Sequence, residues 1–173
     1  MLTKPIGKVE LPVFRLAHRA RELVMRVSAK GDYATRAMQE LAMNYNRGPL
    51  SIEAIAERRH IPARYLEQLL LILKRAGLLE SKRGVKGGYY LAKPPNQITV
   101  GEIIRLMDGS PAPIFCVDPT SHDKCPVEPI CGFHGVWDEV HQAITSIIDK
   151  TTLEDICHRA MLKIEPGAAT YRI

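Results

Sequence analysis

Residues 51–91, SIEAIAERRHIPARYLEQLLLILKRAGLLESKRGVKGGYYL, allow few folds. Two helical patterns are separated only by His60-Ile61-Pro62, which leaves room for a tight turn and nothing longer. In the first pattern Ser51 is placed to accept a free backbone N–H of the opening turn. Ile52, Ile55 and Ala56 give it one apolar face. The second pattern starts near Ala63, with Pro62 before it or in its first turn, where a missing N–H costs nothing. Leu66, Leu69, Leu70 and Leu73 recur at helical spacing and predict a face turned to a core. Gly77 falls where a left-handed residue closes a helix. Two β-like runs then flank Arg83-Gly84-Val85-Lys86-Gly87-Gly88, which predicts a hairpin with a cationic, glycine-rich tip.

Charge concentrates on the same stretch. Residues 58–93 hold nine Lys or Arg against two Glu, a net of +7, whereas the whole chain is +5, so the remainder is net negative. A basic patch this local is the electrostatic footprint of a phosphate-binding surface. The pattern predicts a winged helix-turn-helix: mainly α, with a small β wing.

The run Tyr65-Leu66-Glu67-Gln68-Leu69, then Gly77-Leu78, Arg83-Gly84 and Gly87-Gly88-Tyr89, resembles the Rrf-two family of bacterial transcription regulators. The resemblance extends over residues 25–161. It implies a homodimer on double-stranded DNA, reading a palindromic operator whose half-sites lie about one helical turn apart. It implies that Arg64, Glu67 and Gln68 contact base edges or adjacent phosphates. Their chemistry agrees, since Arg suits guanine, Gln suits adenine, and Glu accepts from cytosine. Arg83 would enter the minor groove from the wing, and Arg58, Arg59, Lys82 and Lys86 would contact phosphates.

At 173 residues the chain makes one or two small domains. Its longest apolar run is far short of a membrane span, and no secretory signal is visible, so the cytoplasm and no membrane partner are expected. No nucleotide motif and no nucleophile–base pair appears, which argues against an enzyme. Residues 1–24 read as a flexible N-terminal extension or an additional basic arm on DNA. Residues 25–110 read as the DNA-binding domain. Its first helix spans about 29–46, with a stripe of Ala34, Ala37, Met38, Leu41, Ala42 and Tyr45. Its last helix is capped by Thr99, carries Val100, Ile103, Ile104 and Met107, and stops at Gly109. Residues 111–132 form a cysteine-bearing, proline-rich loop. Residues 133–165 hold a long helix over about 133–149 and a final helix capped by Thr152, with Cys157 on its apolar face. Residues 166–173 are a tail. In the long helix Trp137, Val140, Ile144 and Ile147 step by three, four and three, a narrow seam suited to a partner helix.

Three of the four cysteines lie in that loop, as Cys116-x8-Cys125-x5-Cys131-x2-His134. Thiolates are soft ligands that favour iron–sulfur clusters, zinc or copper(I). In IscR-like members of the family three loop cysteines precede a histidine and a tryptophan, as in Cys131-Gly132-Phe133-His134-Gly135-Val136-Trp137. The resemblance implies that Cys116, Cys125, Cys131 and His134 hold an iron–sulfur cluster, [2Fe–2S] rather than [4Fe–4S]. The first cysteine gap is longer here than in IscR itself. The NsrR-like pattern implies Asp32 as the alternative fourth ligand. Cys₃His is also an ordinary zinc set, and CymR-like members work without a cluster, through a partner protein or thiol oxidation. An iron–sulfur electron carrier is the reading from outside the family.

Overall fold

A computed structural model describes residues 27–122 and 125–164. The expectations for the extension 1–24 and the tail 166–173 lie outside the described residues. The first helix, α1 (Ala29–Met43), starts at Ser28, whose hydroxyl accepts the Gly31 N–H at 3.2 Å. It stops short of the expected residue 46. The Asn44 side chain donates to the Gly48 carbonyl at 2.8 Å, and Asn46 turns left-handed (φ 63°), so a local turn wins over another helical turn.

The next segment follows the sequence closely. The Ser51 hydroxyl accepts the Ala54 N–H at 3.2 Å and opens α2 (Ile52–Arg59). His60 is left-handed (φ 53°), and the Ile61 N–H reaches back to the Ala56 carbonyl at 2.9 Å. That closes the turn and buries Ile61 before α3 (Ala63–Arg75). Strands β1 (Leu79–Lys82) and β2 (Gly88–Leu91) pair antiparallel, with Leu79 opposite Leu91 and Lys82 opposite Gly88. Tyr89 also exchanges both backbone hydrogen bonds with Leu50, at 2.8 and 2.9 Å. Gly88 sits at φ +150°, and a Cβ there would run into the Leu50 backbone, so the wing's root needs glycine. Helix α4 (Val100–Asp108) opens with a complete capping box between Thr99 and Glu102.

The core forms around α1. Ala34, Ala37 and Met38 are fully buried, and Ile55, Leu66, Leu70, Leu73, Ile98 and Ile103 close over them. After the loop, α5 (His134–Lys150) runs back along α4, and α6 (Leu153–Ile164) returns to α1. Leu153 and Cys157 are buried in the same core as α1. Helix α6 packs into the winged domain, because its apolar face has the α1 core to fill.

Helix α5 has no buried residue. Its buried atoms include His141 Nδ1 and Thr145 Oγ1, on the side turned to its own chain. Phe133, Val136, Val140, Ala143 and Ile147 step by three and four along the other side. Phe133 is 71% and Ile147 64% exposed. The expected seam at Trp137, Val140, Ile144 and Ile147 lies within a wider apolar arc that also includes Phe133, Val136 and Ala143. Trp137, Val140 and Ile144 are its half-buried part.

Two ties fix α5 against α4. The Val100 N–H donates to the Thr151 carbonyl at 2.9 Å. The Arg105 guanidinium holds the Asp149 carboxylate with two bonds of 2.6 and 2.7 Å. Gly101 makes room for that carboxylate, since a Cβ there would overlap it. The Arg105 hydrogen bonds hold the Asp149 carboxyl below its ordinary value. A carboxyl depressed by folding stabilises the fold above its unfolded pKa, about 3.9, and loses that contribution as pH falls through the depressed value. Asp149→Asn should therefore lower the urea midpoint at neutral pH. The difference from wild type should shrink as the pH drops below about 4, followed by circular dichroism.

Candidate nucleic-acid interface and thiol loop

The leucine stripe of α3 faces the core, so the residues between its leucines face out. Arg64, Glu67 and Gln68 are all exposed, at positions i, i+3 and i+4, and form one continuous polar face near the helix start. Tyr65 anchors that start: its ring meets Tyr33 of α1 edge-on, with centroids 5.9 Å apart. The Arg36 guanidinium lies 5.9 Å from the Tyr33 ring. Sequence reading missed this contact, because Tyr33 and Tyr65 carry no local signal of their pairing.

The wing stands beside this face. Lys82, Arg83 and Lys86 are exposed around its tip, and Val85 is fully exposed there. Lys74 of α3 donates to Ser81 Oγ at 2.6 Å, which ties the helix to β1. The Tyr90 hydroxyl donates to Glu80 at 2.6 Å across the two strands, and that bond holds its proton on, raising its pKa. Four exposed cations (Arg64, Lys82, Arg83 and Lys86) are thus carried by one rigid helix and one hairpin. Such a surface can neutralise phosphates and present side chains to a groove.

Arg58 and Arg59 depart from the expectation. Both reach inward to Glu40 of α1, at 2.9 and 2.7 Å. Glu40 is only 8% exposed. Arg59 also donates to Gln39 at 3.4 Å and to the Met43 sulfur at 3.1 Å. Each of its side-chain nitrogens thus has a partner within the winged domain. Arg58 keeps a side chain 55% exposed and shares Glu40 through one nitrogen only.

The loop leaves α4 at Asp108, whose carboxylate accepts from the Ser28 backbone N–H at 3.0 Å and from its hydroxyl. The loop therefore begins beside the start of α1. Short 3₁₀ helices form at Phe115–Val117 and Glu128–Ile130. Cys116, Cys125 and Cys131 are each partly exposed, and His134 opens α5. Partial desolvation pushes the Cys116 thiol up, and the nearby Cys125, Cys131 and Glu128 push it further. Cys116 thus lies within electrostatic reach of the other two thiols, so removing its proton without a cation present is unfavourable. Among the described residues no three Cys, His, Asp or Glu side chains converge closely enough to hold a metal ion. The donor set itself, three thiols and an imidazole on one short segment, fits a soft, thiolate-rich group. Asp32 is instead taken up by Arg36, at 3.0 and 2.7 Å. Cys157 is buried in the α1–α6 core, where desolvation raises its thiol.

No helix among the described residues is long and apolar enough to cross a membrane. Residues 27–159 match the Rrf2 family, described as "Iron-dependent Transcriptional regulator". The chain is 37% identical over 132 residues to the HTH-type transcriptional regulator CymR of Bacillus subtilis, covering 76% of this chain and 89% of that protein. It is 36% identical over 132 residues to the HTH-type transcriptional regulator IscR of Pectobacterium atrosepticum, covering 76% and 79% of the two chains. The solved structure of T. potens IscR superposes with a TM-score of 0.65 at 37% identity, covering 84% of this chain and 93% of that one. With the helix-turn-helix, the wing and this likeness together, the chain belongs to the Rrf2 family of transcriptional regulators.

Proposed function

We propose that this regulator binds a palindromic operator as a homodimer and senses iron–sulfur or redox status through its loop cysteines. The observation that carries the reading is the placement of the thiol loop. It leaves α4 beside the Ser28 cap of α1, five residues before Tyr33, which packs on Tyr65 at the start of α3. The loop and the recognition face are thus linked through the start of α1 and the Tyr33–Tyr65 contact.

Each element has a stated part. Arg64, Glu67 and Gln68 would read base edges from α3. Arg83 would enter the minor groove, and Lys82 and Lys86 would meet phosphates, with the partly free Arg58 beside them. The exposed arc of α5 would close on its copy in a second subunit and place two recognition helices about one helical turn apart. Cys116, Cys125, Cys131 and His134 would hold the cluster, [2Fe–2S] by preference. The iron-dependent description of the family supports iron over zinc at this donor set. A bound cluster would supply a group whose presence and oxidation state respond to iron and oxidants. Ligating it would hold Cys116, Cys125, Cys131 and His134 together, and losing it would release them.

Substitutions on the DNA-facing surface, in α5 and in the thiol loop test this. Lys86→Ala should weaken binding about equally for all DNA sequences and flatten the salt dependence by roughly one unit. Gln68→Ala should cost about 1–3 kcal/mol and relax preference at one base position, read by fluorescence anisotropy on single-base operator variants. Uniform loss in both variants removes Gln68 as a base reader. Ile147→Asp should leave the monomer's circular dichroism intact, because that side chain is exposed. It should weaken the dimer by about 3 kcal/mol or more, and unchanged sedimentation overturns the α5 interface. Finally, Cys116→Ala, Cys125→Ala or Cys131→Ala should remove most iron, sulfide and visible absorption after anaerobic reconstitution, while Cys157→Ala keeps them. His134→Ala should leave an oxygen-labile cluster. Bleaching by Asp32→Ala but not by His134→Ala would move the fourth ligand to α1. Stoichiometric zinc, or no metal, would leave the CymR-like reading with thiol oxidation or a partner protein as the signal.

A further inference from the structure

Three backbone turns follow one another through the second half of the loop. The Glu128 N–H donates to the Cys125 carbonyl at 3.2 Å, Cys131 to Glu128 at 3.1 Å, and His134 to Cys131 at 3.3 Å. Cys125, Glu128, Cys131 and His134 therefore occupy successive corners, three residues apart. Three of the four are expected ligands, and Glu128 stands among them. Its carboxylate oxygen Oε1 lies 3.5 Å from His134 Nε2.

We infer that Glu128 is a positioning residue of the thiol site: it holds His134 by Nε2 and leaves Nδ1 as the nitrogen free to ligate. A neutral imidazole has one donor and one acceptor nitrogen. A carboxylate beside one nitrogen keeps the proton there, so the lone pair is left on the other. Both side chains are partly exposed, so this pairing persists only where the turns hold them together. A direct ligand role for Glu128 is the competing outcome.

This inference rests on the thiol-site reading above but not on the cluster type, so its test uses cobalt(II) as the probe. The full-length, cluster-free, reduced protein is titrated anaerobically, and the thiolate-to-cobalt charge-transfer absorption is followed. Glu128→Ala should weaken cobalt binding about 10–100-fold with undiminished charge-transfer intensity. Glu128→Gln should recover part of the loss, because an amide oxygen still accepts from Nε2. The Glu128→Ala/His134→Ala double variant should bind no more weakly than His134→Ala alone, a coupling that a general loss of structure does not produce. Unchanged affinity in Glu128→Ala, additive losses in the double variant, or altered d–d bands signalling loss of a direct ligand each overturn the inference. So does a wild type whose thiolates take no cobalt. Iron and sulfide analysis of the reconstituted wild type reads the cluster proposal separately, since a protein that takes cobalt but no cluster loses that proposal alone.

Discussion

The winged domain depends on the inward stripe of α1. Helices α2, α3, α4 and α6 and strand β2 all rest against it. They can do so because Ala34 and Ala37 present almost no side chain, while Met38 and Leu41 fill the space between. Larger residues at the two alanines would push the packed helices apart, since a close-packed interior has no slack for added methylenes. The one buried charge on this helix among the described residues, Glu40, is met by both Arg58 and Arg59. Two guanidinium groups offset the cost of removing its carboxylate from water. They also join the last turn of α2 to α1, directly before the turn into α3. The recognition helix is thus positioned twice from α1: through Glu40 at the end of α2, and through Tyr33 at Tyr65.

The loop sits at the open end of a pair of antiparallel helices. The start of α4 and the end of α5 are fastened by Val100 to Thr151 and by Arg105 to Asp149. The end of α4 and the start of α5 are joined through the cysteine-bearing segment. Asp108 ties the near side of that segment to Ser28, and His134 is held at its far side by the last of three turns. On the proposed reading, a change in how the thiols are held would act at the end of α5 away from its fastening. There the lever is longest, and Phe133 and Val136 lie exposed.

Local structure was legible in the residues that make it. Ser51 and Thr99 cap helices where they stand, the four leucines of α3 are all buried, and Gly84 and the cations mark the wing. These features depend on spacing and on hydrogen bonds within a few residues, which a linear sequence displays. Asn44 through Asn46 were read as helix because their turn depends on the Gly48 carbonyl rather than on periodicity. For the thiol loop, the donors were legible from their kinds and spacing. Glu128 was not, because a glutamate between cysteines carries no signal until turns of three residues bring it to His134.

The sequence by itself determined the helix-turn-helix, its hairpin, the outward position of Arg64, Glu67 and Gln68, and the concentration of thiols in one segment. Only the tertiary structure decided which charges are free and which helices belong together. Arg58 and Arg59 look alike in sequence, yet Arg59 is enclosed by Glu40, Gln39 and Met43 while Arg58 remains half exposed. Helices α5 and α6 are adjacent in sequence, yet α6 fills the α1 core and α5 keeps an apolar arc in the open. The physical reason is common to both. An apolar face or a cation specifies that it needs a partner, and the choice of partner depends on which surfaces the packed chain brings within a few ångströms.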